Sequence, residues 1–530
     1  MLAFLLGAYW RLAHVESALL FGDEFHSLRL AVADYRGVLT VFEPNGSGMA
    51  LPLLQRVALD TWGPTHWALR APAWIPSLLT LALIYPLGRQ LVGTTAAAIA
   101  TWLVAANSFL VFYGHFARSY SLVALLALIL LFLAHRSVEQ DDLPRKRWWG
   151  IAATTGLLPW VHLSSLLFVA PVLGATLLAL GRGARPRANA LRLLYAAAVG
   201  IVLASLLHAP AWRSLARFLT AKLETPYSGS FDMLDVGTLL TGSRLGAEVI
   251  ALIALACAAA YFLRRRRVSW PLLAAVLGTP VLLALAHPFG DAYAYARYLA
   301  AFIAPVLLLV GWGIAQACVR LTPVTRLAEV SSLALGTGLA GLLFVLGPLG
   351  PGGDDEGPHA NTYMELVSLP AFDLAWDAAP AFYRELARDP KPRRIIEVPA
   401  VTTRARHLYR NYYQSHRKST SLGLLASELW QAPTGPYVSL RGSEVPDARS
   451  GDYLVLHHNL DREAARYWNF VYRENPGLSN DPAVAAFMNR HRRLERGTNS
   501  LPPGLRERLQ GQLAAPIYED DEIVVWSLQP

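Results

Sequence analysis

The sequence predicts a polytopic α-helical membrane protein of about eleven spans, followed by a water-soluble α/β domain. Three observations carry that prediction. The 530-residue chain is 54% hydrophobic and only 16% charged, whereas a soluble protein carries about 25% charged residues. Long apolar runs fill residues 1–349, while residues 350–530 have an ordinary globular composition. Basic residues recur in alternate gaps between the apolar runs, as the positive-inside rule requires of a membrane protein.

A helix needs about 20 apolar residues to cross the hydrocarbon core. Runs that read as spans lie at 1–20, 71–91, 96–113, 119–133, 148–158, 163–180, 191–208, 247–263, 270–287, 299–319 and 327–346. The run at 148–158 is short, and Pro159 separates it from the next, so one broken helix is the alternative there. The first run contains Arg11, His14 and Glu16; it either ends near Arg11 or begins upstream. No cleavable signal peptide is predicted, because a basic n-region and a small-residue cleavage site are both missing. The gaps holding Arg89, Arg136 with Arg145-Lys146-Arg147, Arg182 to Arg192, Arg264-Arg265-Arg266-Arg267, and Arg320 with Arg326 belong to the cytoplasm. The opposite set, 21–67, 114–118, 159–162, 209–244 and 288–297, lies outside. An odd number of spans puts the C-terminal domain there too, in an extracytoplasmic or periplasmic compartment. The net charge of +9 therefore reads as a topology signal, and nucleic acid is not an expected partner. Cys257 and Cys318 both fall in apolar runs, which gives no disulfide framework and no thiolate metal site.

The linker Gly-Pro-Leu-Gly-Pro-Gly-Gly-Asp-Asp-Glu-Gly-Pro at 347–358 cannot continue a helix. It separates a membrane domain, 1–349, from an α/β domain, 350–530. Within the latter, 394–398, 437–440 and 453–456 read as buried strands, and 517–518 with 523–526 as a hairpin around an acidic turn. Helices are expected at 381–388, 404–414 and 483–492, the last opened by Asp481-Pro482. No phosphate-binding glycine loop or metal cluster is visible in this domain.

Three outer features carry chemical potential. Gly22-Asp23-Glu24-Phe25-His26 follows the first span. A carboxylate held at the membrane edge can act as a general base, and the same pair also suits the cap and first turn of a helix. Tyr113-Gly-His115-Phe-Ala-Arg118-Ser-Tyr120 forms a tight outer turn, readable as a functional site or as an interfacial anchor. Tyr293-Ala-Tyr-Ala-Arg297-Tyr298 enters a span from outside. Its arginine either snorkels or pairs bidentately with a lipid phosphate. His162, His208 and His287, at outer span ends, read as interfacial or core histidines. His26 and His115 are better candidates because they adjoin the features above. No histidine pair has the spacing of a helical zinc site.

Taken in order, these pieces resemble a known family. A first span ends in Arg11, and an outer loop then carries Asp23-Glu24. Leu69-Arg70-Ala-Pro-Ala-Trp-Ile-Pro-Ser77 runs into Tyr85-Pro-Leu-Gly-Arg-Gln-Leu-Val-Gly93. Asn107-Ser-Phe leads through Tyr113 to Arg118-Ser-Tyr120, an Arg-x-Tyr turn, and Arg297-Tyr298 opens a later span. Over residues 5–319 this order resembles the GT-C superfamily of membrane glycosyltransferases, in the branch of protein O-mannosyltransferases and lipid A aminoarabinose transferases. One departure stands out. The family often has His-Pro-Pro in the first loop, where this chain has Asn45-Gly-Ser-Gly-Met-Ala-Leu-Pro52; sugar and acceptor preference stay open on that account.

The resemblance implies transfer of a sugar from a polyprenyl-phosphate donor to an extracytoplasmic lipid, glycan or protein acceptor, in the cell (inner) membrane. It implies Asp23 as general base with Glu24 beside it, and inversion at the anomeric carbon. Arg297, Tyr298, Arg118 and Tyr120 are implied as the donor phosphate site, and His26, Arg70 and His115 as substrate-binding residues. A divalent metal is compatible with the superfamily, but the sequence assigns no ligands to one. A transporter or flippase of lipid-linked sugars is the alternative. Against it, the candidate charges lie at the outer edge rather than mid-membrane, and the sequence has no internal repeat. A membrane-anchored binding protein is a third reading, weakened by the lack of any site motif after Pro351.

Overall fold

The computed structural model describes residues 1–13, 15, 24–31, 35–42, 48–63, 65–224, 233–286, 292–322, 324–349, 379–391, 393–398, 412, 416, 418–420, 453–459, 462–463, 466 and 504–528. The chain divides into two compact units. One takes Met1–Val15, Gly37–Leu54 and Arg70–Ser368; the other takes Glu16–Arg36, Gln55–Leu69 and Leu369–Pro530.

Among the described residues, seven helices are long and apolar enough to cross a membrane: His66–Val92, Tyr120–Glu139, Leu163–Leu180, Pro186–Ala221, Arg244–Leu263, Ala300–Leu321 and Thr325–Leu346. The pair Thr94–Ala106 and Ser108–His115, bent by 57°, makes an eighth if taken as one span. These coincide with eight of the predicted runs. The other three runs form shorter helices. Leu2–Leu12 stops just after Arg11. Arg145–Val161 begins with three cations and passes through Pro159 before breaking at His162. Trp270–Ala286 is apolar but short, and is interrupted by a wider turn at Ala274–Gly278. Leu194, Ile201, Val202, Leu206, Leu252, Leu255, Val330 and Leu335 remain exposed on the long helices, as lipid-facing side chains should.

Thr94–Ala106 is the centre of the first unit. Small residues on one of its turns let a neighbouring helix approach closely: a Cβ on Gly311 would stand 2.4 Å from the Ala96 carbonyl oxygen. The bend after this helix has a specific cause. The Asn107 carboxamide oxygen accepts the Leu110 N–H at 2.9 Å and caps Ser108–His115, while its amide nitrogen donates to the Leu240 carbonyl at 2.9 Å. The carbonyls left without helical partners at the end of Thr94–Ala106 are met by Arg11. Its guanidinium donates to the carbonyls of Val104 at 2.8 Å and Ala105 at 3.3 Å, and also to Gly7 O at 2.9 Å and Ser77 Oγ at 2.8 Å. Arg11 is buried, so the first helix is fixed by hydrogen bonds at a site its apolar surface alone would not specify.

The segments expected as outer loops at 21–67 and 209–244 contain helices of their own. Glu24–Ala31, Tyr35–Thr40 and Ala50–Trp62 occupy the first. Trp212–Glu224 and Met233–Thr241 occupy the second. Phe42, Met49, Ala211 and Leu215 pack as one buried cluster with Leu163 and Phe218 against it, so part of each segment shares a core within the first unit.

The second unit contains a five-stranded sheet in the order β2-β1-β3-β5-β4, where β1 is Arg394–Val398, β2 Ser419–Thr420, β3 Tyr453–His457, β4 Tyr518–Glu519 and β5 Ile523–Ser527. β2, β1 and β3 are parallel; β3, β5 and β4 are antiparallel. The expected strands at 394–398 and 453–456, the terminal hairpin and the helix Ala381–Arg388 are all present. β2 and the helix Leu505–Gln512 were not expected. The expected elements at 437–440 and 483–492, and most of 404–414, lie outside the described residues. A wholly buried polar cluster fills the ends of β1 and β3. His457 donates from Nε2 to Glu397 at 2.7 Å and from Nδ1 to Glu463 at 2.9 Å. Tyr383 donates to Glu397 at 2.9 Å and Tyr412 to Glu463 at 2.8 Å, and the two phenol rings stack at 4.2 Å. Burial opposes a charge on His457, but Glu463 and Glu397 outweigh it and raise its pKa to about 10.

Candidate active site

Arg118 lies in the turn between Ser108–His115 and Tyr120–Glu139, its N–H bonded to the Phe116 carbonyl at 2.6 Å. The turn brings Tyr120 to the head of the next helix, with its ring edge-on to Tyr113 at 4.7 Å. Far along the chain, Arg297 and Tyr298 close the short helix Ala292–Tyr298, just before Ala300–Leu321. What joins them is His162, in the break between Arg145–Val161 and Leu166–Leu180. Its imidazole stands 5.2 Å from the Tyr120 ring and 6.1 Å from the Tyr298 ring, centre to centre. Burial first, then the charges of Arg118 and Arg297, push its pKa down to about 3. Both guanidinium groups therefore act on one imidazole, and four residues separated by up to 180 positions in sequence converge on it.

Arg118 is buried and Arg297 half-buried. Two cations with phenol rings beside them, at the ends of helices, make a natural seat for an anion in a site of restricted solvent. The first outer segment reaches the same place. Gly48 adopts φ +62°, and a Cβ there would meet the Trp160 carbonyl oxygen at 3.0 Å, two residues before His162. Gly48, within the stretch that departs from the His-Pro-Pro pattern, thus lies directly on the turn that carries His162.

The remaining candidates are placed differently. Arg70 is buried and donates to the Val15 carbonyl at 2.7 Å. His115 is buried at the end of its helix, with its ring 6.3 Å from Phe112. Glu24 is buried and opens the helix Glu24–Ala31 in the second unit. Asp23 and the side chain of His26 lie outside the described residues. Among the described residues, no group of three His, Cys, Asp or Glu side chains is arranged to hold a metal ion. His208 fits its core reading: it is buried, with Nδ1 against the Ala204 carbonyl at 2.9 Å. His162 does not fit that reading. The signal that could have separated the two is the sequence Pro159-Trp-Val-His162-Leu-Ser164, in which a span stops at a polar residue with a serine two places on.

Comparison with known proteins bears on the fold. Residues 47–210 match the sequence family described as dolichyl-phosphate-mannose-protein mannosyltransferase. Two crystal structures of ArnT from Cupriavidus metallidurans, one apo and one bound to undecaprenyl phosphate, superimpose on the whole chain. Each gives a TM-score of 0.50 and covers 100% of this chain and 97% of ArnT, at 13% and 14% identity respectively. The chain has the GT-C fold of membrane glycosyltransferases. The oligosaccharyltransferase of Archaeoglobus fulgidus matches more loosely, with a TM-score of 0.42 and 15% identity over 89% of this chain and 69% of that one. A sequence search of curated proteins gives no significant match.

Proposed function

We propose that the protein transfers a sugar from a polyprenyl-phosphate carrier to an acceptor hydroxyl on the outer side of the membrane. The convergence of Arg118 and Arg297 on His162, with Tyr120 and Tyr298 beside it, carries this reading. The matched family is described by a dolichyl-phosphate donor and one ArnT structure holds undecaprenyl phosphate, so a polyprenyl phosphate is the class of anion to expect here. In the reaction the bond from the anomeric carbon to the phosphate oxygen breaks, and both electrons leave with the carrier. The phosphate goes from monoanionic diester to dianionic monoester, and the two guanidinium groups absorb the added charge. The acceptor oxygen forms the new bond and surrenders its proton to Asp23, acting as general base, with Glu24 beside it. In-line attack inverts the anomeric centre. His26, Arg70 and His115 are the substrate-binding residues of this proposal. The membrane domain spans residues 1–349 and the region 350–530 faces the outside of the inner membrane, which follows if the three shorter helices also cross. A lipid, a glycan or a protein serves as acceptor.

The test is transfer from a radiolabelled polyprenyl-phosphate sugar by the purified full chain in lipid nanodiscs. Asp23→Asn should abolish transfer at unchanged expression, and Arg297→Ala should raise the KM for donor. Full activity in Asp23→Asn removes that residue as base, and an unchanged donor dependence in Arg297→Ala removes the phosphate site.

A further inference from the structure

His162 feels the charges of both arginines, and its hydrogen bonds define its protonation state. Nδ1 lies 3.3 Å from the Ser164 backbone nitrogen and 2.7 Å from Ser164 Oγ. A backbone N–H can only donate, so Nδ1 must be the bare, accepting nitrogen. In a neutral imidazole the proton then resides on Nε2. Among the described residues Nε2 has no hydrogen-bonding partner, although the residue is 3% exposed. A buried donor without a partner is unfavourable by itself and is retained where something else receives it. The groups gathered around this ring are Ser164, Tyr120, Tyr298, Arg118 and Arg297. Cations and hydrogen-bond donors predominate among them, which selects an anion as the receiver.

We propose that the Nε2–H of His162 is a neutral hydrogen-bond donor to a phosphoryl oxygen of the lipid carrier, bound between Arg118 and Arg297. This rests on the phosphate site proposed above and adds a positioning residue to it. Neutrality matters to the balance of charge. Burial and the two arginines keep the imidazole uncharged at any working pH, so the pocket offers two positive charges to a leaving group that becomes a dianion. A third cation would hold the spent carrier too tightly. His162 transfers no proton; it fixes the orientation of the phosphate and strengthens its grip as negative charge develops. Ser164, through the Nδ1 contacts, keeps the tautomer that makes this work.

The test is binding of undecaprenyl phosphate to the full chain in detergent micelles. His162→Phe should weaken binding about 10- to 100-fold, the usual effect of losing one hydrogen bond to a charged group. His162→Gln keeps a neutral donor and should restore most of the affinity. If Arg297→Ala weakens binding while His162→Phe binds like wild type, the role of His162 is overturned and the phosphate site stands. If both variants bind like wild type, the phosphate site itself is overturned. Should His162→Phe fail to fold, 15N NMR of histidine-labelled wild type decides. A protonated Nε2 and a bare Nδ1, with the Nε2 resonance moving on addition of undecaprenyl phosphate, support the assignment. The opposite tautomer, or a resonance that does not move, overturns it.

Discussion

Replacing Arg11 by Met keeps an unbranched apolar stem and removes only the guanidinium. Four accepting groups lose their donor. Gly7 O is a helical carbonyl with its own backbone ladder, and Ser77 Oγ can still donate to the Leu110 carbonyl at 3.3 Å. The decisive losses are Val104 O and Ala105 O, at the end of a helix that breaks at Asn107. Each buried carbonyl left without a donor is unfavourable by about 1–3 kcal/mol, which gives roughly 2–6 kcal/mol for the pair. For a 530-residue chain that corresponds to a fall in Tm of about 2–5 °C. The assay is thermal unfolding of the purified protein in detergent, followed by intrinsic tryptophan fluorescence. Arg11→Lys should recover only part of the loss, because a single ammonium cannot reach all the positions the planar fork serves. If Arg11→Met melts within about 1 °C of wild type, the bend is held by Asn107 and apolar packing, and the reasoning about orphaned carbonyls is refuted.

Gly48→Ala should destabilise the protein by about 1–3 kcal/mol and weaken carrier binding, since the added methyl meets both a positive φ and the Trp160 carbonyl on the turn carrying His162. Unchanged melting and unchanged undecaprenyl phosphate affinity would show that the glycine is not needed there. His457 holds its proton more tightly folded than unfolded, with a folded pKa of about 10 against an ordinary value near 6.5. Its contribution to stability is therefore complete below about pH 6.5 and is lost as pH rises through about 10. Melting curves of the full chain between pH 6 and pH 10 should show this decline, and His457→Gln should flatten it. A wild-type curve that stays level over that range would contradict the buried ionic assignment.

Most of the helical unit was legible because apolar length is a direct physical requirement of spanning a membrane, and eight of the runs read this way are long apolar spans. The three short helices were less legible: Arg11 stands in the last turn of the first, the cations Arg145-Lys146-Arg147 open the second, and the widened turn at Ala274–Gly278 interrupts the third. The strands at 394–398 and 453–456 were readable as short β-branched and leucine-rich runs, whereas β2 is two residues long and leaves no periodic trace. At the site, Arg118-Ser-Tyr120 and Arg297-Tyr298 were visible as motifs, and the family resemblance alone grouped them as one phosphate site. His162 reads in sequence as an interfacial or core histidine, with only the polar stop after Pro159 and Ser164 two places on to mark it. The three-dimensional convergence of Tyr120, Tyr298 and two guanidinium groups distinguishes it clearly from His208. Arg11 shows the converse: a residue of the family pattern with no role assigned from sequence holds the bend in the central helices.

The most direct measurement is a structure of the full chain in lipid nanodiscs with undecaprenyl phosphate. The phosphate is expected within hydrogen-bond reach of both Arg118 and Arg297, with one of its oxygens on His162 Nε2. A carrier phosphate seated away from both arginines would contradict the account.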